Sequence, residues 1–379
     1  MIPFNKPYLV GKELEYIKNS HNYGQLAGDG NYTKKCSELL KTNTGCELAL
    51  LTNSCTAALE MSAILLDIKE GDEVIMPSFT FVSTANAFVL RGAIPVFVDI
   101  SPYNMNIDTD LIEKYITPRT KAIVPVHYAG VACEMDNIMR IANKYDLKVI
   151  EDAAQGIESY YKGKHLGSIG DIGCFSFHET KNIICGEGGA LIINNPIYKE
   201  RAEIIREKGT NRSQFLRGFS DKYTWVDLGS SFLPGEITAA FLYSQMEKAK
   251  EITKSRMKIW KFYKEKFEDL QNEGLITIPN ISENCSHNGH IFYIIHKNNY
   301  QRDLFIKKMR EKGVMCVFHY IPLHNSPFAL RNLDKEKKFK LPITEDISSR
   351  LSRLPIWIGL DKEYVFEKAK ESILEINSY

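Results

Sequence analysis

Short apolar runs that resemble buried strands alternate with helix-like segments over the first half of the chain. One helix-like segment repeats apolar residues at helical spacing, at Ala57, Met61, Ile64 and Leu65. This alternation is typical of a mostly parallel central sheet covered by helices, so the sequence predicts an α/β fold. The predicted strands are 73–76, 94–98, 122–126, 148–150, 173–177 and 190–193.

The pattern changes in the second half of the chain. A long helical pattern over about residues 235–272 joins the first half to a set of shorter elements. These elements fit a smaller α+β domain; they are strand-like runs at 291–295 and 314–318 and a helix at 302–311. We therefore predict a large α/β domain over residues 15–245 and a small α+β domain over residues 246–379.

One lysine, Lys181, lies on a polar turn between the predicted strand 173–177 and the glycine-rich segment 186–189. A lysine packed among aromatic residues and glycines is suited to amine chemistry, because burial lowers its pKa and leaves the amine free to attack an aldehyde. The alternative is a surface lysine, which is the usual arrangement for a single lysine. The acid described next favours the first interpretation.

An acidic pair, Glu151 and Asp152, follows the predicted strand 148–150. The carboxyl end of a parallel strand is where open α/β sheets bind ligands. Pyridoxal phosphate needs a carboxylate that keeps its pyridine nitrogen protonated, and Asp152 fits this role, with Gln155 placed to reach the ring's phenolic oxygen. The alternative is that the two acids cap the next helix. Lys181 and Asp152 together predict a pyridoxal phosphate site.

A phosphate group needs its own binding site, and the segment before the helix at 57–65 provides one. Free N–H groups at a helix start bind phosphate together with neighbouring hydroxyls. Thr56 would supply the hydroxyl and Ala57 a backbone N–H, with Ser176 as a second hydroxyl. The alternative is an ordinary helix cap. An aromatic residue within 77–84 could stack on the pyridine ring, although most phenylalanines belong to the core.

Five segments, taken in order, resemble a known family. They read Ser-Cys-Thr-Ala at 54–57, Phe-Thr-Phe-Val-Ser-Thr at 79–84, Glu-Asp-Ala-Ala-Gln at 151–155, Ser-Phe-His-Glu-Thr-Lys-Asn at 176–182 and Gly-Glu-Gly-Gly-Ala at 186–190. The chain resembles the DegT/DnrJ/EryC1/StrS sugar aminotransferases, fold-type I pyridoxal phosphate enzymes, over nearly its whole length. The resemblance implies that the large domain binds the cofactor and that residues 1–14 pack on the small domain.

The resemblance also assigns roles to individual residues. It makes Lys181 the Schiff-base lysine and catalytic proton carrier, Asp152 the partner of the pyridine nitrogen and Gln155 the partner of the ring oxygen. It assigns binding of the phosphate to Thr56, Ala57 and Ser176. Phe81 rather than Phe79 becomes the stacking aromatic, and His178 lies close to the ring. Four residues are candidates for binding the sugar and the nucleotide: His127, His319, Tyr320 and His324. The alternative for each of them is a purely structural role.

Further segments at 71–78, 126–136, 206–213 and 318–324 resemble those of family members that act on a 4-keto-6-deoxy sugar. The implied reaction converts dTDP-4-keto-6-deoxyglucose to dTDP-4-amino-4,6-dideoxygalactose, with glutamate as donor, for a surface polysaccharide such as enterobacterial common antigen. Alternatives within the family are transamination at another sugar carbon and sugar dehydration. Some relatives that dehydrate carry histidine in place of the lysine, so Lys181 favours transamination. A non-catalytic regulator that binds the cofactor is the alternative from another class.

The resemblance implies a homodimer with active sites at the interface. Many family members place an asparagine of the neighbouring subunit on the phosphate. Leu233 stands at that position here, and leucine has no hydrogen-bonding side chain. The cross-subunit phosphate contact is therefore in doubt.

Composition narrows the functional classes. The 379 residues include 48 Lys and Arg against 47 Asp and Glu, so no basic surface for nucleic acid is expected. The eight cysteines form no Cys-x-x-Cys pair, which favours a reducing cytoplasm and no metal site. Residues 1–7 lack the apolar core of a signal peptide, and no apolar stretch approaches about 18 residues, so no membrane span is expected. The mixed charges at 335–338 predict a solvated loop.

Overall fold

The computed structural model describes residues 1–333 and 339–378, so the predicted loop at 335–338 lies outside the described residues. The strands of the first half are β1 (Leu48–Thr52), β2 (Glu73–Pro77), β3 (Ile94–Val98), β4 (Thr120–Ile123), β5 (Lys148–Asp152), β6 (Tyr160–Tyr161), β7 (Lys164–His165), β8 (Ile172–Ser176) and β9 (Gly189–Ile193). The second half contributes β10 (Cys285–Ser286), β11 (Phe292–Ile295), β12 (Val317–Phe318) and β13 (Leu351–Leu354).

The helices that surround these strands begin with α1 (Glu13–Asn22), α2 (Asn31–Thr44), α3 (Cys55–Leu65), α4 (Val82–Val89), α5 (Thr109–Ile112), α6 (Met135–Tyr145), α7 (Lys199–Arg206) and α8 (Arg212–Leu216). They continue with α9 (Glu236–Glu247), α10 (Ala249–Asn272), α11 (Asn299–Glu311), α12 (Pro327–Asn332), α13 (Pro342–Arg350) and α14 (Lys362–Asn377). Single 3-10 turns lie at Glu113–Tyr115, Tyr128–Gly130, Pro196–Tyr198 and Leu323–Asn325.

The described residues form a seven-stranded central sheet in the order β1-β9-β8-β5-β4-β2-β3. The neighbours from β3 across to β8 run parallel, and β9 runs antiparallel to both β8 and β1. The predicted α/β fold with a mostly parallel sheet is therefore confirmed. β1 was not among the predicted strands, because its apolar run leads straight into the start of α3, which we had assigned to phosphate binding.

Helices cover both faces of this sheet, which explains why its strands are near-continuous apolar runs. On β9, Leu191 and Ile193 pack in the cluster that contains α3, whereas Ala190 and Ile192 pack in the cluster that contains α2 and α9. Successive side chains of a strand point to opposite faces of the sheet, so the side chains of β9 contribute to two separate cores.

A second sheet, in the order β11-β13-β12, is antiparallel and packs against α10, α11 and α14. Ile2 pairs with Val314 next to this sheet, and the Pro3 carbonyl accepts a hydrogen bond from Trp357 Nε1 at 3.1 Å. The predicted continuous helical pattern over 235–272 is two helices, α9 and α10, because Lys248 leaves helical geometry between them. The domain limits at 245 and 246 stay a prediction.

None of the helices in residues 1–333 and 339–378 combines the length and the apolar character that crossing a membrane requires.

Buried histidines predict that the fold is sensitive to acid. Burial lowers the pKa of His287 to about 4 and that of His296 to about 3, and it also lowers the pKa of His165, His290 and His319. The imidazoles of His287 and His296 therefore stay neutral in the fold and take up protons on unfolding. Each therefore removes about 1.4 kcal/mol of unfolding free energy per pH unit as pH falls below its unfolded pKa of about 6.5.

Urea denaturation between pH 7.5 and pH 5 checks this prediction, and stability should fall steeply over that range. His296→Gln should show a shallower slope than the wild-type chain. A pH-independent free energy of unfolding would contradict the prediction.

Candidate active site

A cleft of about 660 Å³ opens at the carboxyl ends of β5 and β8. Its walls on the sheet side are the first turn of α3, the start of α4 and the segments that follow β5 and β8. Val317, Arg353 and Leu354 of the second sheet line the opposite side, together with Phe4 and Asn5. The cleft thus lies where an open α/β sheet binds its ligands.

Lys181 lies in the cleft on a turn that backbone hydrogen bonds hold closely. Phe177 N donates to Gly188 O, Cys185 N to Phe177 O, and Lys181 N to His178 O, at 2.8 to 2.9 Å. Burial lowers the pKa of Lys181; Arg353 lowers it further, whereas Cys55 and Asp152 act in the opposite direction. A lowered pKa increases the fraction of free amine, which is the form that attacks a carbonyl.

Asp152 ends β5 and is buried at the base of the cleft. Its Oδ2 accepts a hydrogen bond from Thr84 Oγ1 at 2.7 Å, and its Oδ1 accepts one from Ala154 N at 3.2 Å. Within the described parts of the chain it forms no ion pair. A buried carboxylate of this kind is available to a cationic ligand nitrogen. Sequence reasoning missed Thr84, although it ends the aromatic-rich segment 79–84.

Gln155 uses both ends of its amide inside the site. Its Oε1 accepts from Ala129 N at 2.6 Å, and its Nε2 donates to Tyr320 Oη at 3.0 Å. Both Gln155 and Tyr320 line the cleft. The amide therefore fixes the position of the Tyr320 phenol next to Asp152.

The start of α3 faces the cleft with small hydroxyl residues. Ser54 caps the helix by accepting from Ala57 N at 3.0 Å, and Thr56 Oγ1 shares a hydrogen bond of 2.7 Å with Ser83 Oγ. Thr56 and Ser176 line the cleft, whereas Ala57 does not. Gly189 allows β9 to approach this turn, because an added Cβ would lie 2.4 Å from Cys55 N.

The two phenylalanines of the segment 79–84 occupy different environments. Phe81 lines the cleft and is 60% exposed, whereas Phe79 is fully buried with its edge against Tyr128 and Tyr320. The open face of Phe81 suits a stacked ring. Its stacking role stays a prediction.

The predicted histidines fall into two groups. His178 and His319 line the cleft; His178 Nδ1 pairs with Thr180 Oγ1 at 2.9 Å, and His319 stacks on Tyr320 with ring centroids 3.7 Å apart. His127 borders the cleft but is buried, and its nitrogens contact Glu151 at 2.9 Å and Cys133 N at 3.2 Å.

His324 lies outside the cleft lining. Its nitrogens contact Ser78 Oγ at 2.7 Å and Glu345 at 3.1 Å. Of the four residues predicted to meet the sugar and nucleotide, the structure therefore leaves His319 and Tyr320 with open access to the cleft.

Two further cleft residues come from the second half of the chain. His290 pairs with Asn182 Oδ1 at 2.9 Å, and burial lowers its pKa. Arg353 faces the Phe4 ring at 4.6 Å. Sequence reasoning missed both, since neither belongs to a recognisable local motif.

The sequence matches the DegT/DnrJ/EryC1/StrS aminotransferase family over residues 7–369. It is 41% identical over 345 residues to the uncharacterized protein MJ1066 of Methanocaldococcus jannaschii, covering 89% of this chain and 88% of that protein. The fold is similar to the aminotransferase TlmJ from Streptoalloteichus hindustanus, with a TM-score of 0.90, 26% identity and complete coverage of both chains.

NtdA from Bacillus subtilis, solved with the bound cofactor PMP, is also similar. Its TM-score is 0.86 and its identity 30%, over 98% of this chain and 86% of that chain.

Proposed function

Because the chain belongs to the DegT/DnrJ/EryC1/StrS aminotransferase family, we propose that it aminates a nucleotide-linked keto sugar. The proposed reaction transfers the amino group of glutamate to dTDP-4-keto-6-deoxyglucose and gives dTDP-4-amino-4,6-dideoxygalactose for a surface polysaccharide. The family supports the sugar aminotransferase activity. The resemblance of segments 71–78, 126–136, 206–213 and 318–324 supports this sugar in particular.

The described residues fit the cofactor pyridoxal 5′-phosphate. The observation that carries this fit is Asp152, a buried carboxylate without an ion pair among those residues, in the same cleft as Lys181. The bound PMP of the similar protein NtdA supports the same cofactor. We propose that Lys181 anchors the cofactor, Asp152 holds its ring nitrogen, and Thr56, Ser176 and the first turn of α3 hold its phosphate. When bound, the cofactor supplies an electron sink for the carbon that loses a proton.

The chain's own residues then account for proton transfer. Lys181 Nζ takes the proton from the α-carbon of glutamate in the first half-reaction, and delivers a proton to C4 of the sugar in the second. Gln155 and Tyr320 border the place where this exchange occurs. The donor gives up its amino group and leaves as its keto acid before the keto sugar enters, so we expect ping-pong kinetics.

Visible spectroscopy and product analysis test the proposed function. The purified protein should be yellow with cofactor, lose this colour with glutamate and regain it with the keto sugar. A panel of dTDP- and UDP-keto sugars, followed by NMR of the product, identifies the carbon and its configuration. Amination at another carbon would correct the substrate, loss of a hydroxyl would favour dehydration, and a spectrum unresponsive to every amino donor would favour a cofactor-binding regulator.

We also propose that the protein acts as a homodimer. The segment 212–228 carries large exposed side chains, among them Phe219 at 80% and Trp225 at 78% exposure, which suits a surface covered by a second copy. Leu233 follows this segment along the chain. That Leu233 lies near the phosphate site of the partner subunit stays a prediction. All eight cysteines are unpaired, which supports a reducing compartment such as the cytoplasm.

Trp225→Glu is expected to weaken the dimer by about 100-fold or more, because it places a charge in an apolar interface. Sedimentation equilibrium measures the effect. Tyr300→Glu, at an aromatic residue of α11 that is 74% exposed, is the matched control and should leave the association unchanged. A wild-type chain that sediments as a monomer would contradict the dimer.

A further inference from the structure

His290 lies on the segment between β10 and β11 and lines the cleft together with Lys181. Its backbone is held from two sides. His290 N donates to Asn288 Oδ1 at 3.0 Å, and His290 O accepts from Arg256 Nη2 of α10 at 3.0 Å. Asn288 is itself buried and donates through Nδ2 to the carbonyls of Gln155 and Ile157 at 2.8 and 2.7 Å. The backbone that carries the imidazole is therefore fixed against the segment that follows β5.

The hydrogen bonds around His290 decide which ring nitrogen carries the hydrogen. Asn182 Nδ2 lies 3.0 Å from the Asn288 carbonyl oxygen, which can only accept, so the other end of the Asn182 amide is its oxygen. That oxygen lies 2.9 Å from His290 Nδ1, so Nδ1 carries a hydrogen and donates it. In a neutral imidazole, a hydrogen on Nδ1 leaves a lone pair on Nε2.

The surroundings keep this imidazole neutral. Burial lowers the pKa of His290 well below its usual value of about 6.5. Three cations lower this pKa further: Lys181, Arg256 and Arg353. Within residues 1–333 and 339–378, no protein group donates a hydrogen bond to His290 Nε2. The site therefore holds a hydrogen-bond acceptor among cationic side chains.

We propose that His290 Nε2 accepts a hydrogen bond from the amine of Lys181 whenever that amine is not linked to the cofactor. This inference rests on the proposed function and deepens it by assigning a positioning residue. Asn182 follows Lys181 directly in the chain, so the contact between Asn182 and His290 brings the imidazole to the turn that carries the lysine. The electrostatic effect of Lys181 on His290 supports the same proximity.

This hydrogen bond orients the amine and leaves its lone pair free. One N–H of Lys181 points to His290 Nε2, and the nitrogen lone pair takes the proton from the α-carbon of glutamate. The proton stays on Lys181 until it is delivered, and the bond to His290 holds the ammonium in the meantime. His290 takes up no proton, because burial and the neighbouring cations keep it neutral.

Two substitutions separate this positioning role from a structural one. His290→Asn keeps an N–H near the position of Nδ1, and with it the bond to Asn182, but has no atom at the position of Nε2. His290→Gln reaches the position of Nε2 with its amide oxygen.

In single-turnover measurements, His290→Asn should slow the half-reaction with glutamate by about 30-fold and raise the isotope effect of α-deuterated glutamate. His290→Gln should recover the rate to within about threefold of the wild type. The dissociation constant for glutamate should be unchanged in both variants, because the bond is made to the lysine and not to the donor.

The pKa of Lys181 in the cofactor-free protein gives a readout independent of activity. An acceptor that faces an ammonium favours the charged form, so its loss in His290→Asn should lower the pKa of Lys181 by about one pH unit. Cys55, Asp152 and Arg353 also act on this amine, and the substitution leaves all three in place. Competitive acetylation with acetic anhydride over a series of pH values, followed by peptide mapping, measures the pKa.

His287→Asn is the matched control, at a histidine of the same segment that lies outside the cleft lining. It should leave the pKa of Lys181 and the rate per folded molecule unchanged. In His290→Asn, an unchanged pKa of Lys181 or an unchanged rate would overturn the positioning role. A larger defect in His290→Gln than in His290→Asn, with a matching loss of stability, would assign His290 a structural role instead. If the wild type reacts with no amino donor but the pKa of Lys181 falls in His290→Asn, the proposed function fails and the hydrogen bond stands.

Discussion

Replacing Lys181 with alanine is expected to lower transaminase turnover by about 10⁴-fold or more, because both the cofactor linkage and the proton transfer depend on this amine. The turn that carries Lys181 is held by the backbone hydrogen bonds of Phe177, Cys185 and Lys181. The substitution removes none of them. The variant should therefore fold with wild-type stability while losing both half-reactions.

Steady-state kinetics and thermal denaturation check this prediction together. Lys162→Ala, which removes an exposed lysine paired with Asp136 on the surface, is the matched control and should keep full activity. Substantial turnover in Lys181→Ala would remove this residue from the catalytic role. A large loss of stability would leave its role in catalysis to be tested by adding back a small amine.

Asp152→Asn is expected to lower the rate by about 100-fold while the cofactor stays bound. The carboxylate is the charged partner for a protonated ring nitrogen, and asparagine keeps its size but not its charge. A hydrogen bond to a charged group is worth up to about 3 kcal/mol, and about 1.4 kcal/mol corresponds to tenfold in rate.

The variant's absorbance and rate distinguish loss of the electron sink from loss of the cofactor. Asp99→Asn is the matched control at another buried aspartate, which accepts from Thr344 N and Thr344 Oγ1 at 2.7 Å at the start of α13. That change should lower stability by about 1–3 kcal/mol and leave the rate per folded molecule unaltered. An undiminished rate in Asp152→Asn would contradict the proposed role of the carboxylate.

The sheet was predictable because its strands are buried on both faces. The predicted strands 73–76, 94–98 and 148–150, most of whose residues are apolar, fall inside β2, β3 and β5. The antiparallel direction of β9 was not predictable, because a buried strand has the same composition in either direction. The break at Lys248 between α9 and α10 also escaped prediction, since lysine favours a helix.

The parts of the site that local motifs encode were predictable. Lys181 and Gln155 follow a strand, Asp152 ends one and Thr56 lies in the first turn of a helix. The fold brings all four into one cleft. Sequence order cannot reveal which distant residues face them. Arg353 comes from the second sheet, with no sequence signal beyond one arginine in an apolar strand.

The histidines show the opposite error, in which the sequence suggests binding residues that the fold does not leave free for a ligand. His127 and His324 occur in segments that resemble those of the family, yet each uses its ring nitrogens in contacts inside the protein. A sequence pattern gives the residue type and the element. It does not give the hydrogen-bond partners that decide whether a side chain is free for a ligand.

Borohydride reduction followed by peptide mapping tests the central claim most directly, because reduction fixes the cofactor permanently to the lysine that carries it. The account predicts that the label is on the peptide that contains Lys181, and that glutamate added before reduction prevents labelling. Label on another lysine, or no label on the cofactor-loaded protein, would contradict it.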